Sequence, residues 1–265
     1  MIVVVNWKMN QLRETLSDYY SHISDYIREL SLVICPPYPY LDQCSKLTNQ
    51  YNSRGISSLY LGAQNVGHQS SGAYTGEISA AMLKDFGVSY SLVGHMERRT
   101  IFQENTLIIK QKIICLQHAG IIPILCFGDD PTSDPLTTNT KAITETIKNT
   151  LDGLDKPSSI ILAYEPGWAI GGDETPPREV LEEIFFSVRS TMTATLGQDM
   201  SRHVPLLYGG GVRENNIHRL LPCRELDGFL CGGVSLKSKT LSALLNKIVT
   251  HGSTQTKVFS PVKSG

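Results

Sequence analysis

Three residues of the chain pair a charged or proton-carrying group with an abrupt setting. Lys8 follows the apolar run "IVVVNW", His95 ends "YSLVGH", and Glu165 lies in "IILAYEP". A lysine so placed either runs its stem back to solvent or points its ammonium into a pocket, where it stabilises negative charge on oxygen. A histidine ring beside a helix N-terminus is held neutral by the helix dipole. It can still donate a hydrogen bond to a carbonyl that is becoming an enediolate. Glu165 is followed by Pro166 and Gly167 rather than by a helix, and a carboxylate held against apolar neighbours makes a stronger base. Each of the three has an ordinary alternative when taken singly: a snorkelling lysine, a satisfied structural imidazole, a helix cap.

Glycine clusters add to this set. "GWAIGG" (Gly167–Gly172), "YGGGV" (Tyr208–Val212) and "CGG" (Cys231–Gly233) each follow an apolar run. Glycines leave backbone N–H groups unobstructed, which suits a phosphate cradle, although any one pair also reads as a plain turn. The combination points to proton transfer beside a carbonyl in a small phosphorylated compound. No serine or cysteine stands in a nucleophile elbow, and no GxGxxG follows the first apolar run, so neither acyl transfer nor a dinucleotide is favoured. No metal and no cofactor are expected.

The elements that must hold these residues repeat in type. Eight runs, "IVVVNW", "LVICPP", "LYLGAQN", "YSLVGH", "IIPILCFG", "IILAYEP", "VPLLYGG" and "DGFLCGG", alternate with stretches of helical period at 14–30, 105–119, 138–151, 177–196 and 236–249. Nearly continuous apolar strands, each followed by a helix, predict a parallel sheet buried on both faces. Eight such units in 265 residues fit a closed (β/α)8 barrel, an α/β fold of a single domain. The barrel is expected over residues 1–250, with a polar tail over 251–265. Asn6, Lys8, Gln64, Asn65, His95, Glu165 and Tyr208 all fall at the C-terminal ends of their runs, the rim that carries function in such barrels.

Bulk composition removes other classes. Net charge is −1 with no run of like charges, so nothing draws the chain to nucleic acid or an anionic membrane. No apolar run approaches a membrane-spanning length, and the start reads as a strand rather than a signal peptide. The six cysteines, at 35, 44, 115, 126, 223 and 231, form no CxxC pair or zinc spacing. Reduced thiols and a cytoplasmic location are expected.

The ordered segments "NWKMN", "GAYTGEIS", "VGHMERR", "AYEPGWAIG", "LLYGGGV" and "DGFLCGGVSLK" resemble the signatures of triosephosphate isomerases, the family that gave the TIM barrel its name. The resemblance runs from residue 2 to about residue 250. It implies a sugar-phosphate isomerase of glycolysis and gluconeogenesis, acting without a cofactor. Glu165 would move the proton between C1 and C2, as in a known example of environment-tuned acid–base pairs. His95 would polarise the carbonyl, and Lys8 with Asn6 would stabilise the enediolate. Glu97 would orient the lysine. The N–H groups of Gly171, Gly211, Gly232 and Gly233 would hold the phosphate. Residues 166–174, including Trp168, would form a lid that excludes water, with Tyr208 on the supporting rim. The segment Gln64–Glu77, with Thr75 near its tip, would dock beside a neighbouring subunit's site, implying a homodimer.

The departures are specific. Met96 stands where the family usually has serine, and Gly167, Gly172, Asp173 and Glu174 recast the lid. Asp129 replaces a glutamate in a loop that looks shortened, and Gly211 replaces a serine whose hydroxyl latches the closed lid. The missing latch predicts a less favoured closed lid, improved by Gly211→Ser. The same changes leave room for a second reading, a paralogue acting on a four-carbon ketose phosphate. A third reading, a non-catalytic phosphometabolite sensor, sits poorly with the intact Lys8, His95 and Glu165.

Overall fold

Period-two alternation decides which way each strand residue points. In β1 (Ile2–Asn6), Ile2 and Val4 join a cluster made of strand residues alone, while Val3 and Val5 join a second cluster shared with the surrounding helices. The computed structural model describes residues 1–54, 58–129, 139–157, 159–169 and 171–252. Strands β2 (Ser31–Cys35), β3 (Leu59–Ala63), β4 (Tyr90–Val93), β5 (Ile122–Phe127), β6 (Ile161–Tyr164), β7 (Leu206–Tyr208) and β8 (Gly228–Cys231) follow. They close in sequence order into a parallel barrel, with β8 pairing back onto β1 through Ile2↔Gly228. The expected single-domain barrel is therefore the observed architecture.

Helices α1 (Leu16–Ile23), α2 (Leu41–Asn52), α3 (Ala80–Asp85), α4 (Met96–Thr100) and α5 (Thr106–His118) cover the first half of the chain. Helices α6 (Thr140–Leu151), α7 (Arg178–Leu196), α8 (Gln198–His203), α9 (Ile217–Leu220) and α10 (Ser238–Gly252) cover the second. Side-chain caps start several of them. Asn105 Oδ1 accepts from the Ile108 N–H at 3.0 Å, and Asn139 Oδ1 accepts from the Ala142 N–H at 3.0 Å, satisfying donors the helix leaves open. The apolar stripe Ile109, Ile113 and Leu116 of α5 is buried against the barrel.

The long helix expected over 14–30 is broken. It is a 3-10 turn at Arg13–Thr15, then α1, then a second 3-10 turn at Ser24–Tyr26. The Ser21 and Ser24 hydroxyls donate back to the Asp18 and Ser21 carbonyls, competing with helical bonding at that end. Helix α2 escaped the periodicity because Leu41, Cys44 and Thr48 form its buried stripe, and only one of those is aliphatic. Helix α10 runs two residues past the boundary set at 250; the tail from 253 and the start of the helix expected at Thr138 lie outside the described residues.

The same alternation sets where the rim residue Tyr208 points. Leu207 of β7 faces the barrel interior, so Tyr208 points outward, where its ring lies 6.4 Å from that of Tyr164. Cys35 and Cys126 face inward and are fully buried. Burial pushes the Cys126 thiol well above its ordinary range, with the Glu165 charge adding to the effect.

Candidate active site

Asn6 continues the inward series Ile2, Val4, and Glu165 continues Ile161, Ala163. Both therefore reach the open end of the barrel as the next inward positions past their apolar layers. Two local devices bring in the others. Lys8 adopts φ 53, unusual for a residue with a side chain, at a cost that such sites tolerate when the surroundings enforce it. Its N–H donates to Asn6 Oδ1 at 3.0 Å, and its carbonyl accepts from Gln64 Nε2 at 2.8 Å. His95 is delivered by Gly94, whose φ of 66 turns the chain out of β4. A Cβ on Gly94 would lie 3.1 Å from the Arg99 guanidinium and from Ile109.

His95 then caps α4. Its Nδ1 accepts from the Glu97 N–H at 3.2 Å, so Nδ1 carries no proton and the neutral ring keeps its hydrogen on Nε2. That Nε2 lies 3.0 Å from Glu165 Oε1. Glu165 is 2% exposed, and its other oxygen accepts from the Met96 N–H at 3.0 Å. The backbone of Met96 thus holds the carboxylate, whatever its side chain. Lys8 Nζ pairs with Glu97 Oε1 at 2.6 Å.

One cavity is lined by Asn6, Lys8, His95, Glu165, Gly171, Gly211, Gly232 and Gly233 together. The N–H groups of those four glycines donate to no other described residue. Asparagine, lysine and imidazole can supply donors here, glutamate can act as a base, and the glycine N–H groups can receive an anion. Four expected supporting residues lie outside this lining. Glu97 pairs with Lys8, Tyr208 faces out of the barrel with its hydroxyl where a Cβ on Gly210 would fall, and Thr75 is exposed on its loop. Trp168 sits half-buried in the lid's Gly167–Ala169 turn, its indole N–H unpartnered among the described residues. Asp129 accepts from the Tyr164 hydroxyl at 2.7 Å.

The 172–174 segment bears on the side chain expected to be missed at Gly211. A Cβ there would lie 2.7 Å from the Gly172 carbonyl oxygen and 2.8 Å from that of Glu174. The space left by the absent side chain is filled by lid backbone, so a serine would push the tip away. The lid is fastened differently. Arg213 Nε donates to Asp173 Oδ1 at 2.7 Å, and Asn216 Nδ2 donates to the Asp173 carbonyl at 3.0 Å and the Gly211 carbonyl at 2.6 Å. Sequence reasoning noted Asp173 but missed Arg213 and Asn216. The opposite charges forty positions apart were the available signal, readable once the two loops are known to meet.

Among the described residues no helix is long and apolar enough to cross a membrane. The family model for triosephosphate isomerase matches residues 1–248. A triosephosphate isomerase of Chlamydia trachomatis serovar D is 35% identical over 247 residues, covering 92% of this chain and 88% of that one. One from Idiomarina loihiensis is 36% identical over 248 residues, covering 92% and 96%. One from Dehalococcoides mccartyi is 37% identical over 251 residues, covering 92% and 94%. With the barrel, the cavity and these matches over nearly its whole length, the chain belongs to the triosephosphate isomerase family.

Proposed function

We propose that the chain interconverts dihydroxyacetone phosphate and D-glyceraldehyde 3-phosphate. The reading is carried by the 3.0 Å approach of His95 Nε2 to Glu165 Oε1 in a cavity also lined by Lys8 and four glycines. The Glu165 carboxylate removes a proton from C1; the C–H electron pair forms C1=C2, and the C2 carbonyl electrons move to oxygen. The His95 Nε2 proton and the Lys8 ammonium meet that developing charge, an interaction that excluding water strengthens. His95 carries a proton between the two oxygens, and Glu165 returns its proton to C2. Stabilisation falls on the enediolate more than on the ground state, as rate enhancement requires.

The space beside Gly211 bears on the four-carbon alternative. The room that Gly211 was expected to vacate is occupied by the carbonyls of Gly172 and Glu174, which favours the shorter substrate. Turnover of three- and four-carbon ketose phosphates, measured side by side, tests the reading. Activity is expected on the triose phosphate, with Glu165→Gln lower by about a hundredfold to ten-thousandfold, the usual contribution of a general base. Activity on neither compound, or preference for the longer one, would overturn it.

A further inference from the structure

Two cations flank the adjacent glycines of the proposed cradle. A Cβ on Gly232 would lie 3.3 Å from Lys8 Cε, and a Cβ on Gly233 would lie 3.7 Å from both Arg213 Nη1 and Nη2. Arg213 lines the same cavity as Lys8 and the glycines. Its guanidinium is divided between two faces. Nε is taken by Asp173 of the lid, Nη1 reaches the Val212 carbonyl at a long 3.4 Å, and Nη2 has no hydrogen-bond partner among the described residues. The loop that carries it is fixed, because buried Asn216 accepts from the Arg213 N–H at 2.8 Å while gripping the Gly211 and Asp173 carbonyls.

An ordinary ion pair would not require this placement. The Asp173 side chain is 73% exposed, and exposed pairs contribute little by themselves. The planar fork of arginine, however, can serve two acceptors at once. We propose that Arg213 is a cationic ligand for the substrate's phosphate beside the glycine N–H groups and that, through Asp173, it couples occupancy of the cradle to closure of the lid. Nε holds the lid aspartate, and the Nη edge beside Gly233 meets a phosphate oxygen opposite Lys8. This inference rests on the phosphate-site reading given above and adds a ligand and a coupling to it.

Inorganic phosphate titrated into the full chain by calorimetry is the first probe, with Trp168 fluorescence as the second. Arg213→Met is expected to weaken phosphate binding about tenfold or more, the scale of one charge-assisted hydrogen bond. Arg213→Lys, which keeps charge without the fork, should recover part of that loss. Asp173→Asn is expected to retain phosphate binding while losing the phosphate-induced change in Trp168 emission. Circular dichroism on each variant separates these effects from misfolding, and Arg213→Lys carries the test if the methionine variant does not fold. Phosphate binding by Arg213→Met at wild-type strength would overturn the ligand role. An unchanged Trp168 response in Asp173→Asn would overturn the coupling. If the wild-type chain binds no phosphate and turns over no sugar phosphate, the cradle reading itself falls. Wild-type turnover with variants that behave identically removes this inference alone.

Discussion

Gly211 shows how one missing side chain is compensated by its surroundings. The lid carbonyls occupy its space, and Asn216 and Arg213 hold the tip by other bonds. Gly211→Ser is therefore expected to lower kcat/KM, because a Cβ at under 3 Å from backbone oxygen forces displacement. Steady-state kinetics on the purified variant checks this, and a gain in rate would show that a different lid position is the productive one. Lys8, His95 and Glu165 were legible in the sequence because each interrupts a strongly apolar run at a strand end. Arg213 was not, since its meaning depends on Asp173, which is near it only through space. Tyr208 ends an apolar run like the others, and its parity within β7 turns its ring out of the barrel, with the hydroxyl packed where a Cβ on the cavity-lining Gly210 would fall.

The turn between β4 and α4 concentrates most of the positioning. Gly94 bends the chain, His95 becomes the cap, and the next two N–H groups serve Glu165 and the His95 ring in turn. Gly94→Ala should destabilise the protein by about 1–2 kcal/mol from the left-handed backbone alone, with more from the 3.1 Å contacts to Arg99 and Ile109. Urea unfolding measures the loss, and turnover should fall further than stability explains because His95 is displaced. Strands were easier to read than helices here. All eight carry Val, Ile, Leu or aromatic runs, whereas the short helices α3, α4, α8 and α9 offer too few turns for a period of 3.6 to emerge.

Exposed apolar side chains gather on particular units of the barrel. Met9 follows β1, Tyr74 and Met82 follow β3, and Ile101 and Phe102 follow β4, each more than 40% exposed. Together with the exposed Thr75 loop, they support the proposal that a second copy docks here. Sedimentation should give a dimer, and Thr75→Arg should shift it to monomer; a monomeric wild type would remove the proposal. The buried cysteines have a different bearing on the intact molecule. Cys35 and Cys126 are sealed between strands, Cys44 and Cys231 have thiols pushed up to about 12 by burial, and a protonated sulfur is a poor nucleophile. Iodoacetamide should consequently reach Cys126 no faster than the β-ladder comes apart, which makes alkylation at that position a stopwatch for global opening.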